Sequence, residues 1–245
     1  FRRVLFRSAE RPAARLGLRL VKGFNPEAAE RIAKARRSGA FASVDELARR
    51  ARLSSAELRT LASAGALASL AGHRHRAWWA AAGSQAAPGM LHDAPIPDTM
   101  PTLPAPAATQ DLMADYARLG FSLGRHPLSF LRGLLSAERF LSAAEIADCP
   151  DRKLARGAGI VTCRQRPGTA KGTMFVTLED ETGWVNVIVR PDLLEAERRI
   201  LLGARLLGIY GQIARQGSVV HLHAKRVVDR SALLGHLATR SRDFH

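Results

Sequence analysis

At 245 residues, 47% hydrophobic but only 6% aromatic, the chain has room for two or three small domains with cores of Ala, Leu, Val and Ile. Residues 1–110 hold 17 basic and 8 acidic side chains and residues 111–245 hold 20 and 14, so the +15 net charge is spread over both halves and favours a polyanionic partner over a basic tail. Two cysteines, Cys149 and Cys163, exclude a disulfide framework, and the sequence lacks both a signal peptide and an apolar run of the roughly 20 residues that span a bilayer, which points to the cytoplasm and away from membranes.

The chain opens on Phe1 rather than methionine, so residues 1–13 are expected to be a fragment start, non-native or disordered. Residues 14–82 read as helical. Within them Leu20 to Ile32 predicts a helix, a tight glycine hairpin at Gly23, and a second helix opened by Pro26. Such a helix-hairpin-helix turns backbone N–H groups toward a phosphate, with Gly23 at the closest approach and Asn25 in the left-handed conformation that Asn tolerates best. Lys22, Arg31 and Lys34 add charge that is indifferent to base sequence. The alternative is an ordinary αα-hairpin that only packs. Ser43 with Glu46 predicts a capping box, Ser54 or Ser55 caps a short helix ended by Gly65, and a last helix carries Trp78 and Trp79. A second hairpin is expected over Leu61–Leu67, followed by His73-Arg74-His75-Arg76. The two histidines, two residues apart with no cysteine or carboxylate beside them, read as a basic edge rather than a metal site, and Arg74 and Arg76 join the nucleic-acid-binding candidates.

Residues 83–109 are crowded with proline and read as a linker or an extended crossing segment. Residues 110–150 form a helical connector. Gln110 to Tyr116 faintly resembles a sliding-clamp peptide, but Leu112, Met113, Tyr116 and Leu119 are better read as packing positions. Residues 151–232 switch to period two. Five strand candidates, at 160–166, 173–178, 184–190, 205–214 and 219–229, with a helix over 192–202 between the third and fourth, give the order of an OB-fold barrel. The fold class is therefore α+β in several domains, ending in a tail over 233–245. Met174, Val176, Leu178, Val185, Val187 and Val189 should point inward. That leaves Phe175 and Trp184 outside, as stacking platforms for a single strand or as covers against the preceding helices. Arg164, Arg166, Lys171 and Arg190 flank them. His221 and His223 share a face with Lys225 and read as a polar strand surface rather than metal ligands, and Glu179-Asp180-Glu181 as a solvated loop. No nucleophile with its base, phosphate-binding loop or dinucleotide fingerprint occurs, so no catalytic residue or cofactor is assigned within the chain.

The order of these pieces carries a resemblance. Leu18 to Phe24, Phe41 to Arg50 and Leu61 to Leu67 resemble the tandem hairpin region of bacterial C-family, DnaE-like DNA polymerases. Asp115-Tyr116, Gly120 to Leu123 and His126 to Leu128 resemble their connector, and Leu178 to Gly183 with Val185 to Val189 the central hairpin of their OB domain. The ending at Ser241 to His245 is similar to the error-prone branch. The resemblance implies the C-terminal portion of a translesion polymerase, with Mg²⁺-dependent nucleotidyl transfer in palm residues outside this chain. It also implies duplex and single-stranded DNA as partners, with accessory translesion subunits and, through them, the sliding clamp. Two other readings are a stand-alone nucleic-acid-binding module, such as a repair accessory or tRNA-binding OB protein, and a protein-docking scaffold.

Overall fold

The computed structural model describes residues 17–84, 101–217, 219–237 and 241–244, in two compact units divided after Leu123. The expectation for residues 1–13 and most of the proline-rich stretch lie outside the described residues.

The first unit is helical: α1 Pro26–Arg36, α2 Val44–Ala51, α3 Ser55–Ser63, α4 Ala68–Ala71, α5 Arg74–Gly83 and α6 Ala108–Arg118, preceded by a 3₁₀ turn at Leu18–Leu20. Short polar side chains start three of these helices. Asn25 accepts from the Glu27 N–H, Ser43 from Glu46, and Ser54 from Glu57. At Ser54 the capping box is reciprocal, whereas Glu46 reaches one residue further back, to the Ala42 N–H. Asn25 is extended (φ −67°, ψ 125°), not left-handed as anticipated. Pro26 is the reason: the residue before a proline is confined to extended backbone, so Gly23, at φ +74°, takes the turn alone. The core gathers Ile32, Val44, Leu47, Leu58, Leu61, Leu67, Ala77 and Ala81. Helix α6 belongs to this unit. Leu112 is buried along it, but Met113, expected to pack, is exposed and Asp115 is buried instead.

The second unit begins with short helices, a 3₁₀ turn at Pro127–Phe130, α7 Arg132–Ala137 and α8 Ala143–Ala147. It continues as a closed barrel of β1 Leu154–Gln165, β2 Met174–Asp180, β3 Gly183–Val189, β4 Leu206–Gln216 and β5 Val219–Asp229. Neighbours run β2-β3-β5-β4-β1, with β1 pairing β2 to close the ring and β3 parallel to β5. Between β3 and β4 the anticipated single helix is two, α9 Pro191–Ala196 and α10 Arg198–Gly203, broken at Glu197. This is the OB-fold connectivity. The inward set is as the alternation required: Met174, Val176, Leu178, Val185, Val187 and Val189 are all buried, with Leu201, Leu207, Ile209 and Leu222. Part of the C-terminal tail, β6 Arg242–Phe244, lies parallel to β1 as an extra strand.

Candidate nucleic-acid interface

In the first unit the hairpin turn is exposed. A Cβ built on Gly23 would meet nothing within 4 Å, so its backbone is open to close approach. Lys22 is exposed, its N–H given to the Arg118 carbonyl at 2.9 Å and its Nζ making a long 3.5 Å contact to the Tyr116 carbonyl, which lays it over the C-terminal end of α6. The two front positions of α1 offer nothing to a phosphate: Pro26 has no N–H, and that of Glu27 is held by Asn25. Lys34 projects from the exposed side of α1. Arg31 does not: its guanidinium caps the Ala51 carbonyl at 3.0 Å and pairs with Glu57 at 2.9 Å. Burial pushes the Glu57 carboxyl up, but the Ser54 N–H and Arg31 more than offset this and hold it below the usual carboxylate range.

The basic edge over His73–Arg76 is divided. Arg76 is exposed, but Arg74 is buried (9% exposed) between Asp111 and Asp115, the latter at 2.7 Å and itself 2% exposed. His73 accepts the Arg76 N–H at Nδ1 and donates from Nε2 to the Leu103 carbonyl. His75 donates to the Pro104 carbonyl. These two rings pin the extended segment 101–107 along α5.

On the barrel, Phe175 is half-buried and Trp184 is 72% exposed, on the same outer face of β2 and β3. Their surroundings differ. Phe175 lies between Gln165 on β1 and Ile188 on β3. Just beyond it, Arg166 reaches over Gly172 toward Pro191, so exposed Arg166, Lys171 and Arg190 gather at that end. Trp184 lies four residue pairs away, about 13 Å along the ribbon, opposite Glu179. The structure therefore brings the basic side chains to Phe175 and not to Trp184. Arg164 is not among them. It is buried, its Nε donating to the Leu201 carbonyl at 2.7 Å and its other nitrogens to the Ala204 carbonyl and Ser241. A register shift between Val161 and Cys163 moves it off the outer face.

Sequence reasoning missed two clusters. Asp180, taken with its neighbours as a solvated loop, is buried, and its carboxylate holds the β2–β3 turn and Arg132 together. Tyr210 on β4 sits between two arginines, Arg156 and Arg226. His221 and His223 do share the outer face, beside Asn186 and Ile188. Burial, then His221 and Arg190, hold the His223 imidazole below its ordinary range. Among the described residues no group of three or more His, Cys, Asp or Glu is placed to hold a metal, and no helix is long and apolar enough to cross a membrane.

A hairpin-bearing helical unit and an OB barrel in one basic chain define a protein of the nucleic-acid-binding class. Residues 4–77 match the helix-hairpin-helix motif family. The error-prone DNA polymerase of Aromatoleum aromaticum is 63% identical over 233 residues, 95% of this chain and 22% of that protein. Those of Azoarcus sp. (57% identity, 97% and 22%) and Alkalilimnicola ehrlichii (52%, 96% and 23%) match in the same way. Over 95% or more of its length the chain matches error-prone DNA polymerases, and it spans about 22% of the length of the curated relatives it matches. Among solved structures, an asparaginyl-tRNA synthetase from Pyrococcus horikoshii matches 36% of this chain and 22% of its own at 20% identity, with a TM-score of 0.30, too low to bear on function.

Proposed function

We propose that this chain is the C-terminal DNA-handling region of an error-prone, translesion DNA-directed DNA polymerase. The hairpin unit grips duplex backbone through the Gly23 turn, with Lys22, Lys34 and Arg76 supplying charge. The barrel guides single-stranded template over Phe175, with Arg166, Lys171 and Arg190 on the phosphates. Nucleotidyl transfer with Mg²⁺ belongs to parts of the polymerase outside these residues. The setting is DNA repair and damage tolerance in the cytoplasm, with accessory translesion subunits and, through them, the sliding clamp as protein partners.

The observation that supports this reading best is the coincidence of an outward ring at Phe175 with three exposed cations around one loop. A base stacked on an aromatic ring is worth about 1–3 kcal/mol, so Phe175→Ala should weaken binding of an oligothymidylate by roughly 5- to 150-fold and leave duplex binding unchanged. Trp184 supports the docking alternative instead, since its neighbour across the ribbon is the Glu179 carboxylate. Fluorescence anisotropy of Phe175→Ala and Trp184→Ala at low salt tests the assignment. Equal affinity of the parent and Phe175→Ala for the single strand would remove the ring from the interface.

A further inference from the structure

A different wall of the barrel carries a second set of cations. Arg156 on β1, Tyr210 on β4 and Arg226 on β5 stand opposite one another in one row across three strands. The β4–β5 register slips between Tyr210 and Gly211, so that Arg226 and then Ala224 are paired and Lys225 is the extra residue. A bulge of this kind sets two consecutive side chains against a single partner, here Lys225 and Arg226, both exposed. The guanidinium carbons of Arg156 and Arg226 lie 5.0 and 5.1 Å from the centre of the Tyr210 ring, within cation–π range. The ring is itself fixed, edge-on to buried Phe140 at 5.6 Å. Phe140 in turn occupies the space left by Gly208, where a Cβ would lie 2.8 Å from its Cζ.

The row has no carboxylate of its own. Arg156 is held by the backbone carbonyl of Glu138, whose carboxylate goes to Arg230, and Asp229 beyond the row accepts from Ser231. Two arginines on an ordered ring with a lysine beside them, and no carboxylate paired with any of the three among the described residues, suit an anion. Adjacent strands are about 4.8 Å apart, so the cations spread over about 10 Å, a span that fits successive phosphates of a chain better than one small ion. The row is also continuous with the face around Phe175. Ile188 is paired with both Phe175 and His223, and Lys225 follows two residues further along β5.

We propose that Arg156, Lys225 and Arg226, ordered around Tyr210, form a second phosphate-binding row that takes up the single strand after it has crossed β3 and β5 from Phe175. The inference rests on the reading of the barrel as a single-strand site, and its test separates the two. Binding of an oligothymidylate to the 245-residue chain is measured from 50 to 200 mM salt. Every phosphate that a variant no longer neutralises lowers the slope of log affinity against log salt by about 0.7 for a single strand. Arg226→Gln should lower it by about 0.7, Lys225→Gln with Arg226→Gln by about 1.4, and Arg226→Lys should restore it. Arg198→Gln, an exposed arginine away from the row, removes the same net charge and should leave the slope unaltered. Both row positions are exposed, so the fold is not at stake. A slope unchanged in the double variant, or lowered equally by Arg198→Gln, overturns the row while leaving Phe175 in place. A parent chain that binds no oligothymidylate overturns both.

Discussion

Asp180 accepts five hydrogen bonds at the end of β2. Arg132 Nη2 and the Ala143 N–H reach one oxygen; the Thr182 N–H, the Thr182 hydroxyl and the Gly183 N–H reach the other. One carboxylate thereby closes the β2–β3 turn, starts α8 and fixes α7 to the barrel. Replacing it with Ala would leave three backbone amides without their acceptor and Arg132 with Glu181 alone. Asp180→Ala should therefore cost about 3–5 kcal/mol, read as a lowered urea midpoint. Nearby, His126 accepts the Leu128 N–H at Nδ1, which requires that nitrogen unprotonated. Burial pushes its imidazole below the ordinary range, against the pull of Glu179, Glu181 and Asp180 and with that of Arg132. In the unfolded chain it titrates near pH 6.5. Between the folded and unfolded values the unfolded state binds the extra proton, so stability rises with pH there. The His126 contribution is complete above about pH 6.5 and is lost as pH falls through the lower folded value. His126→Asn keeps an acceptor for Leu128 but cannot take the proton, and melting temperatures between pH 7.5 and 5 should fall less steeply than in the parent. Parallel curves would remove His126 as the source.

Elements held by near neighbours were legible, and those held at a distance were not. Serine caps at Ser43 and Ser54 and the two-residue alternation of β2 and β3 are local patterns, and the structure keeps them. Arg164 shows the limit: a bulge in β1 reverses which residues face out, and nothing in the run Thr162-Cys163-Arg164 announces it. Near Phe175 the ring and its exposed cations were legible, whereas the Tyr210 row draws on three strands whose register sequence spacing does not set. Helix α6 is the same lesson at larger range. Its apolar spacing was visible, but the partner that docks it is Arg74, 41 residues before Asp115. Removing one member of such a pair leaves the other charged and buried, at about 3–5 kcal/mol. Arg74 keeps Asp111 in this variant, so Asp115→Ala should cost the helical unit less than that, about 1–3 kcal/mol. Trp78 and Trp79 on α5 report that unit and Trp184 the barrel, so in a Trp184→Phe background tryptophan fluorescence follows the helical unit alone. If its urea midpoint does not move, the Arg74 pair is not what anchors α6.

For the whole molecule, the two grips proposed above would have a consequence neither has alone. On that reading, a DNA with a duplex and a single-stranded overhang would offer one part to the Gly23 turn and the other to the Phe175 face. The second contact is then intramolecular, at an effective concentration on the order of millimolar for a short flexible link. Such a junction should bind tighter than the separate duplex and single strand by a factor of roughly 10²–10⁴, if the overhang spans the two sites. The gain should depend on overhang length, rising once the single strand reaches the barrel and changing little beyond. Gly23→Ala adds a Cβ at the turn proposed to approach phosphate and strains it at φ +74°, a local cost of about 1 kcal/mol. It should reduce duplex and junction binding but spare the single strand, while Phe175→Ala does the converse. With either grip removed, the junction should bind no better than the substrate of the remaining grip. Titrating junctions of graded overhang against the three proteins separates this from a general attraction of DNA to a chain of net charge +15, which would follow oligonucleotide length and ignore where the overhang begins.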